Sequence, residues 1–312
     1  MSRISLHVCP RKVISWDEFI ATHPPRSIAL DGYVKGSTRR DRKGPYANFN
    51  HHEGVDRSST KATCDQVQYE ITMGLFAGFK QEGVPTAHVY INDPDEDTST
   101  AVWLLRNHET VARGDAKINR LVRCEGLLDV SAGAYPIGDT TFRRVMTWIF
   151  APYNHARFSG RIAVMEEAEM CNVVDAVGQR ITQHVFGDGG EEIALTGHYD
   201  RIGGGEGWTF TRETGPASRM AMYNDGINAF VSLVAQKPDG SFVYVVGSRS
   251  AWYPFDLARI FAAANAAEPA GLVTDDNLWA GGDTIGGSPK KTGSKNHPEI
   301  IQQVVNAAIS SD

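Results

Sequence analysis

The stretch Ala87-His-Val-Tyr-Ile-Asn-Asp-Pro-Asp-Glu-Asp-Thr-Ser-Thr-Ala101 decides the fold. It begins as an apolar strand candidate at 87–91, passes into an acidic turn at 93–97, and continues as a predicted helix from Thr98 to Thr110. The segment Arg26–Asp31 repeats the first half of this pattern, because a short apolar strand again ends on a carboxylate. Strands that alternate with acidic loops and helices are typical of an α/β domain with a mainly parallel sheet.

Sites in such sheets form where the parallel strands end at their carboxyl termini. We therefore expect Asp31 and the acids of 93–97 to lie at the same edge of the sheet. A further helix is predicted from Ser59 to Phe79, where apolar residues recur at helical spacing, and another from Arg161 to His184. The first half of the chain thus predicts a mainly parallel sheet flanked by helices.

The run Phe186-Gly-Asp-Gly-Gly190 is the clearest linker signal in the chain. It predicts two domains, a metal-binding α/β domain over 1–186 and a smaller α/β substrate-binding domain over 191–312. In the second domain the pattern predicts strands at 193–196, 220–223, 229–235 and 241–248, a helix from Phe255 to Ala267, a glycine-rich loop at 281–293 and a short helix from Pro298. The turn Pro238-Asp-Gly240 predicts a hairpin between the last two strands.

Composition excludes several classes of protein. The chain of 312 residues has a net charge of −6, which excludes a broadly basic protein that coats nucleic acid or membranes by bulk charge. No apolar run approaches the roughly 20 residues of a membrane helix, and the N-terminus has no signal-peptide pattern. Four widely spaced cysteines predict reduced thiols and a cytoplasmic location. The basic run Arg39–Lys43 is either a solvated loop or a mobile lid that clamps phosphate.

Four acids lie within residues 93–97, namely Asp93, Asp95, Glu96 and Asp97. They repel one another, so folding them together costs free energy unless a cation or solvent compensates. Asp95 and Asp97 alternate along the chain, so both are able to reach one metal-sized space at the end of the strand. The alternative is a solvated acidic turn that caps the helix at Thr98, since acids favour helix N-termini.

Adjacent histidines form the second cluster, in Asn48-Phe-Asn-His-His-Glu-Gly-Val-Asp56. Side chains of neighbours on an extended segment point to opposite sides, so His51 can bind a metal while His52 faces a substrate. Asp31 and Asp129 are lone aspartates that suit either a metal or a helix cap. Mixed Asp and His ligands that hold two divalent ions activate water and clamp a phosphoryl group.

In this combination the residues resemble the DHH phosphoesterase superfamily, which includes single-strand exonucleases, oligoribonucleases and family-II pyrophosphatases. Asp95-Glu-Asp97 resembles the family's Asp-x-Asp motif, and Asn50-His51-His52 resembles its Asp-His-His signature. Asp31 resembles the bridging aspartate and Asp129 the last metal-binding aspartate. Asn50 and Ile91 stand where the family usually has Asp and His, and the motif order is permuted. Asp93, His88 and Glu53 are candidate replacement ligands.

The second half resembles the companion substrate-binding domain, DHHA1. Arg249-Ser250 at the end of a predicted strand resembles its Arg-Ser pair, and the loop at 281–293 stands where that domain has a glycine-rich loop. Exposed backbone N–H groups beside cationic side chains would make an anion cradle. The resemblance implies that the substrate is bound by Arg249, Ser250, Gly281, Gly282, Gly286, Gly287 and Lys290.

The leading hypothesis is a Mn²⁺- or Mg²⁺-dependent hydrolase of a phosphorylated small molecule or short oligonucleotide, with no membrane partner and with a homodimer left open. His52 or Asp56 would assist proton transfer. Two alternatives remain, a metal-dependent hydrolase of a C–N or amide bond and a non-catalytic nucleotide-binding protein. The predicted metal ligands are Asp31, His51, Asp95, Asp97 and Asp129.

Overall fold

The computed structural model describes residues 2–52 and 54–310, and backbone contacts divide the chain into two units. The first unit comprises the chain up to residue 130 with 137–153 and 165–193. The second comprises 131–136, 154–164 and the chain from 194 onward. The last boundary along the chain therefore falls between residues 193 and 194.

A mostly parallel sheet forms the centre of the first unit. Its strands are β1 (Arg3–Val8), β2 (Ser27–Leu30), β3 (Arg39–Asp41), β4 (Tyr46–Phe49), β5 (Lys80–Gln81) and β6 (Val84–Ile91). The order is β1-β6-β2-β4-β3, in which β1, β6, β2 and β4 run parallel. β3 is antiparallel to β4, and β5 forms an antiparallel pair with β6. The predicted α/β class with a mainly parallel sheet is confirmed.

The carboxyl ends of three neighbouring strands meet at one edge of this sheet. Leu30 at the end of β2 pairs with Phe49 at the end of β4, and β6 ends beside them at Ile91. Asp31 and the acidic turn after β6 therefore share an edge, as the strand pattern predicts. The two histidines that follow β4 lie at the same edge.

Helices cover this sheet and connect its strands. They are α1 (Trp16–Thr22), α2 (Thr63–Thr72), α3 (Leu75–Gly78), α4 (Glu96–Arg106), α5 (His108–Val111), α6 (Ala116–Val130), α7 (Thr140–Ile149) and α9 (Glu167–Phe186), while α8 (Ala151–Phe158) runs across a unit boundary. α4 packs against α2, α6 and α9 and is the central helix, with every residue from 97 to 105 buried. In the described part of the chain, no helix is long and apolar enough to span a membrane.

Several details of the first half differ from the prediction, and the helix predicted from Thr98 to Thr110 is α4 (Glu96–Arg106) followed by the short α5. The helix predicted from Ser59 begins only at Thr63, because Asp56 accepts the backbone N–H groups of Ser58 and Ser59 and holds a turn there. The basic run is not a flexible loop, since Arg39–Asp41 pair with β4 as the edge strand β3. Arg40 in that strand forms an ion pair of 2.6 Å with Glu70.

The second unit contains a mainly antiparallel sheet of six strands. They are β7 (Tyr199–Gly205), β8 (Trp208–Glu213), β9 (Ala229–Gln236), β10 (Phe242–Ser248), β11 (Ala280–Gly281) and β12 (Ile285–Gly287), in the order β11-β12-β10-β9-β8-β7. The helices are α10 (Ser218–Asn224), α11 (Leu257–Ala267) and α12 (Pro298–Ile309). α11 and α12 pack together over a core that includes Trp208, Tyr244 and Trp279.

The predicted hairpin across Pro238–Gly240 is confirmed as the antiparallel pair β9–β10. The strand predicted at 220–223 is wrong, because these residues belong to α10 and pack Met222 and Tyr223 against Phe230. Short apolar runs do not distinguish a strand from a buried helical turn. The strand predicted at 193–196 is also wrong, since these residues have no regular structure.

Candidate metal site

The candidate site is assembled from the ends of two strands and two helices. Asp31 directly follows β2 and has a left-handed backbone, with φ of 49°. His51 and His52 follow β4, Asp97 lies in the first turn of α4, and Asp129 lies in the last turn of α6. Five of the predicted residues thus converge from positions far apart in the sequence.

His51 lies at the centre of this group and is fully buried. Its Nε2 atom is 2.9 Å from Asp129 Oδ2, 3.4 Å from Asp31 Oδ1 and 3.6 Å from Asp97 Oδ2. Despite these short distances, neither ring nitrogen makes a well-oriented hydrogen bond to any described residue. A ring nitrogen that faces three carboxylates without such bonds fits a site in which the imidazole and the carboxylates bind one cation together.

The ligand atoms form two overlapping groups that are each compact enough for one ion. One group is Asp31, His51 and His52, the other is His51, Asp97 and Asp129, and within each the ligand atoms lie within 4.8 Å of one another. Carboxylate oxygens and imidazole nitrogens are ligands of Mn²⁺ and Zn²⁺, and carboxylates also suit Mg²⁺. The donor set therefore fits a divalent ion without identifying the metal.

The charges of this group shift its pKa values strongly. Burial lowers the pKa of His51, but the carboxylates of Asp129 and Asp31 outweigh it and raise the pKa to about 10. Burial raises the pKa of Asp129, yet His51 and Arg57 bring it down to about 2. Burial, Asp129 and Asp31 together raise the pKa of Asp97 to about 7. A proton on His51 thus offsets the negative charge, which is the role that a bound cation would take over.

Polar groups of α2 and α4 hold two of the carboxylates in place. Asp31 accepts the hydroxyl of Thr63 at 2.9 Å and that of Thr98 at 3.3 Å. Asp97 accepts the backbone N–H groups of Thr63 at 2.8 Å and Cys64 at 2.7 Å. Asp97 therefore caps the start of α2, whose own N-cap residue makes no side-chain hydrogen bond to the helix.

Arg57 is a residue of the site that the sequence analysis missed. Its buried guanidinium donates to His52 Nδ1 at 3.1 Å and to both carboxylate oxygens of Asp129 at 3.2 Å. Because arginine only donates, Nδ1 of His52 is an acceptor and Nε2 carries the proton, which it directs to Asp31 at 2.8 Å. In the sequence Arg57 lies in a polar loop, where a solvated arginine is the ordinary expectation.

We expect Arg57→Gln to weaken Mn²⁺ binding by about 10–100-fold, the range found when partners of metal ligands are removed. Glutamine removes the cation beside Asp129 and the donor that sets the tautomer of His52. Calorimetric titration with Mn²⁺ measures the effect, with the exposed Arg42→Gln as the matched control. An unchanged affinity in Arg57→Gln would show that Arg57 only supports the fold.

Asp95 and Asp56 belong to neither of these ligand groups. Asp95 is the N-cap of α4 and accepts the N–H of Thr98 at 2.8 Å, so it performs the capping role considered as the alternative for the acidic turn. Burial and the charges of Asp31, Asp93 and Asp97 raise its pKa well above the ordinary value. Asp56 is exposed and caps its own turn, which leaves it outside the cluster.

Asn50 has a structural task that an aspartate is unable to perform. Its buried Nδ2 group donates to the carbonyls of Gly36 at 2.8 Å and Val34 at 3.4 Å, and its Oδ1 accepts the N–H of His52 at 3.1 Å. A carboxylate lacks the donor for the first two contacts. The amide thus ties the loop after β2 to the histidine segment. Of the candidate replacement ligands, His88 lies on the face of the sheet within β6, and Glu53 is outside the described residues.

Another buried acid, Glu125, lies close to Asp129 of the cluster. Glu125 is one helical turn before Asp129 on α6, is 2% exposed, and has one carboxylate oxygen without a hydrogen-bond partner among the described residues. Burial, Glu96 and Asp129 raise its pKa well above the ordinary value. The spacing of four residues on a predicted helix is the signal that would have linked it to Asp129.

The predicted substrate residues all lie in the second unit. Arg249 is exposed just after β10 and donates to Asn228, while the carbonyl of Ser250 accepts the hydroxyl of Ser248. The glycine-rich loop is a short hairpin of β11 and β12, where a Cβ on Gly281 would lie 2.2 Å from Gly286 Cα and one on Gly287 2.5 Å from the carbonyl of Tyr244.

Close strand packing therefore accounts for two of these glycines without a ligand. The N–H of Gly282 is already used by the carbonyl of Ile285 at 2.8 Å. Lys290 is exposed, and its backbone carbonyl faces the buried Lys237. A role for this hairpin in binding substrate stays a prediction.

Comparison with known proteins returned no match: no family model, no curated protein and no solved structure matches the chain.

Proposed function

We propose that the protein is a divalent-metal-dependent hydrolase of a phosphorylated small molecule or a short oligonucleotide. The observation that carries this proposal is the position of His51, a fully buried imidazole whose Nε2 atom faces the carboxylates of Asp31, Asp97 and Asp129. A site of this composition at the carboxyl ends of parallel strands is where α/β proteins place their chemistry.

Asp31, His51, Asp97 and Asp129 would hold the metal, with His52 at the edge of the site. Mn²⁺ is the ion we favour, because it accepts both imidazole and carboxylate, and Mg²⁺ is the alternative. When bound, such an ion lowers the pKa of a water ligand and stabilises charge on phosphoryl oxygens. The backbone N–H and the hydroxyl of Thr63 on α2, together with Arg57, would keep the ligands oriented before the ion arrives.

His52 is the group placed to move a proton in this site. Its side chain is 33% exposed, whereas those of Asp31 and His51 are 4% and 0% exposed, so a substrate reaches His52 first. Arg57 keeps the proton of His52 on Nε2, the atom beside Asp31. His52 would therefore give a proton to an oxygen of the substrate or take one from it, while Asp31 stays a carboxylate and orients the ring.

Membership of the DHH superfamily is part of the same proposal. The meeting of Asp31, His51-His52 and Asp97 at one sheet edge supports it, even though the motif order is permuted. Asn50 holds the loop after β2 and is not a carboxylate. This protein would therefore have one carboxylate ligand fewer than the family pattern. We further propose that Arg249, Ser250 and the glycine hairpin of the second unit contact the anionic part of the substrate.

Metal analysis and a panel of phosphate esters test this function. We expect the purified protein to bind Mn²⁺ and to release phosphate or nucleotide from at least one phosphomonoester, phosphodiester or short oligonucleotide, with loss of activity on chelation. Failure to bind a divalent ion, together with no release when Mn²⁺ is added, would contradict the proposal. A metal-loaded protein that is inert toward all phosphate esters would favour hydrolysis of a C–N or amide bond. Binding of a nucleotide that a chelator leaves unchanged would favour a non-catalytic protein.

A further inference from the structure

A second polar cluster lies on the face of the first unit's sheet, away from the strand ends. Ser5 on β1 is paired in register with His88 on β6, and His7 is paired with Tyr90. Ser5 Oγ lies 3.0 Å from His88 Nδ1 and 3.1 Å from His7 Nε2, so one hydroxyl joins two imidazole rings. The ring of His7 also stacks on Tyr90, with 4.6 Å between the ring centroids.

This cluster borders the helix that covers the rest of the face. α1 packs Phe19 against Tyr90 and Tyr46, whereas Ser5, His7 and His88 continue the same face beyond Tyr90 and stay half-buried. The rings of His7 and His88 are therefore held in place by Ser5 and Tyr90 and remain open to a small ligand.

Arg26 directly precedes β2 and lies beside this cluster. Its backbone N–H donates to the carbonyl of Pro45 at 2.8 Å, and its carbonyl accepts the backbone N–H of His88 at 2.9 Å. The backbone of Arg26 is left-handed, with φ of 71°. Its guanidinium makes no hydrogen bond or ion pair to a described residue, although Nε is buried. A buried donor without a partner is unfavourable unless a ligand supplies an acceptor.

The charges that act on His88 are all positive. Burial lowers its pKa, and the charges of His7 and Arg26 lower it further, with no carboxylate to oppose them. Arg26 thus adds positive charge beside this face in a chain whose net charge is −6.

We propose that Arg26, Ser5, His7 and His88 form a binding site for the phosphoryl group of a small molecule. The planar fork of an arginine matches phosphate oxygens in a bidentate fashion, and the imidazole that accepts the Ser5 hydroxyl keeps an N–H on its other ring nitrogen as a further donor. The patch is small and the protein is acidic, which disfavours an extended polyanion.

This site is separate from the metal site and does not depend on the proposed hydrolase. Arg26 precedes β2 and Asp31 follows it, and the five residue steps between them along the strand span about 16 Å. A phosphoryl group bound at Arg26 therefore lies outside the cluster around His51.

NMR of the histidine side chains in metal-free protein tests the site, with inorganic phosphate and a nucleoside monophosphate as separate probes. We expect the resonances of His7 and His88 to shift in a saturable way, while those of His108 and His184 stay in place. Arg26→Gln and His88→Gln should each weaken binding at least about tenfold, which corresponds to roughly 1.4 kcal/mol. The exposed Arg113→Gln is the matched control and should bind as the wild type does.

The two probes distinguish the source of the phosphoryl group. Tighter binding of the monophosphate indicates an organic ligand, and equal binding indicates free phosphate, so either result supports the site. Unmoved His7 and His88 resonances at about 20 mM of both probes, a concentration that detects even weak millimolar sites, would overturn the proposal. Unaltered affinity in a folded Arg26→Gln protein would do the same. Asp31→Asn should leave phosphate binding at Arg26 intact. A failure of the phosphoryl site can therefore be told apart from a failure of the metal site.

Discussion

Asp31→Asn is expected to reduce the affinity for Mn²⁺ by more than about 100-fold, beyond the range for a residue that only supports a metal ligand. Asp31 contacts His51 and His52 and accepts two threonine hydroxyls. Its carboxylate therefore joins the histidine segment to the two helices that border the site. The asparagine keeps the shape, and it tolerates the left-handed backbone at this position better than alanine does. The variant therefore removes charge while the backbone stays unstrained.

The measurement is a Mn²⁺ titration by calorimetry, with phosphate-ester hydrolysis assayed in parallel. Asp56→Asn is the matched control, because Asp56 is exposed and caps only its own turn. We expect it to bind Mn²⁺ and turn over substrate as the wild type does. If Asp31→Asn retained full affinity, the cluster would not be the metal site.

Glu213→Gln is expected to destabilise the second unit by about 3–5 kcal/mol, the cost of breaking a buried ion pair by removing one partner. The Glu213 side chain is 2% exposed and forms ion pairs with Arg219 at 2.8 Å and Arg157 at 3.2 Å. Glutamine leaves both guanidinium groups without their counter-charge, and Arg219 is itself only 14% exposed. Thermal unfolding at pH 7 measures the effect, with the exposed Glu206→Gln as control.

This destabilisation should depend on pH. Burial raises the pKa of Glu213, but Arg219 and Arg157 outweigh it and hold the pKa below its ordinary value. A lowered pKa in the folded state means that the stabilisation is present above the unfolded pKa of about 4.3 and is lost as pH falls through the folded value. The difference between wild type and Glu213→Gln should therefore shrink below about pH 4. A difference that is constant from pH 7 to pH 3 would contradict an ionic origin.

The strand pattern was sufficient to predict the parallel sheet and the edge that carries the site. Apolar strands that end on Asp31 and before the acidic turn made that edge visible, since neighbouring parallel strands end together. The histidine pair was recognisable because two adjacent imidazoles beside acids are uncommon in a structural turn. Local pattern also predicted the hairpin of β9 and β10 through its turn residues.

The sequence did not show which of the acids faces His51 and which caps a helix. Asp95 and Asp97 are equivalent in the pattern, yet Asp95 caps α4 while Asp97 faces His51 and caps α2. This assignment depends on the direction in which α4 leaves the sheet and on where α2 begins. Arg57 was missed for a related reason, since its burial against Asp129 depends on α6, far along the chain.

By itself the sequence determined the α/β class, the sheet edge and the residue types able to bind a divalent ion. These properties follow from local periodicity and from side-chain chemistry, which the order of residues contains directly. Only the tertiary structure decided which carboxylates surround His51, which segments the amide of Asn50 ties together, and that Ser5 lies between His7 and His88 on the face of the sheet. Such contacts join segments distant along the chain, and their distances and burial exist only once the helices have packed on the strands.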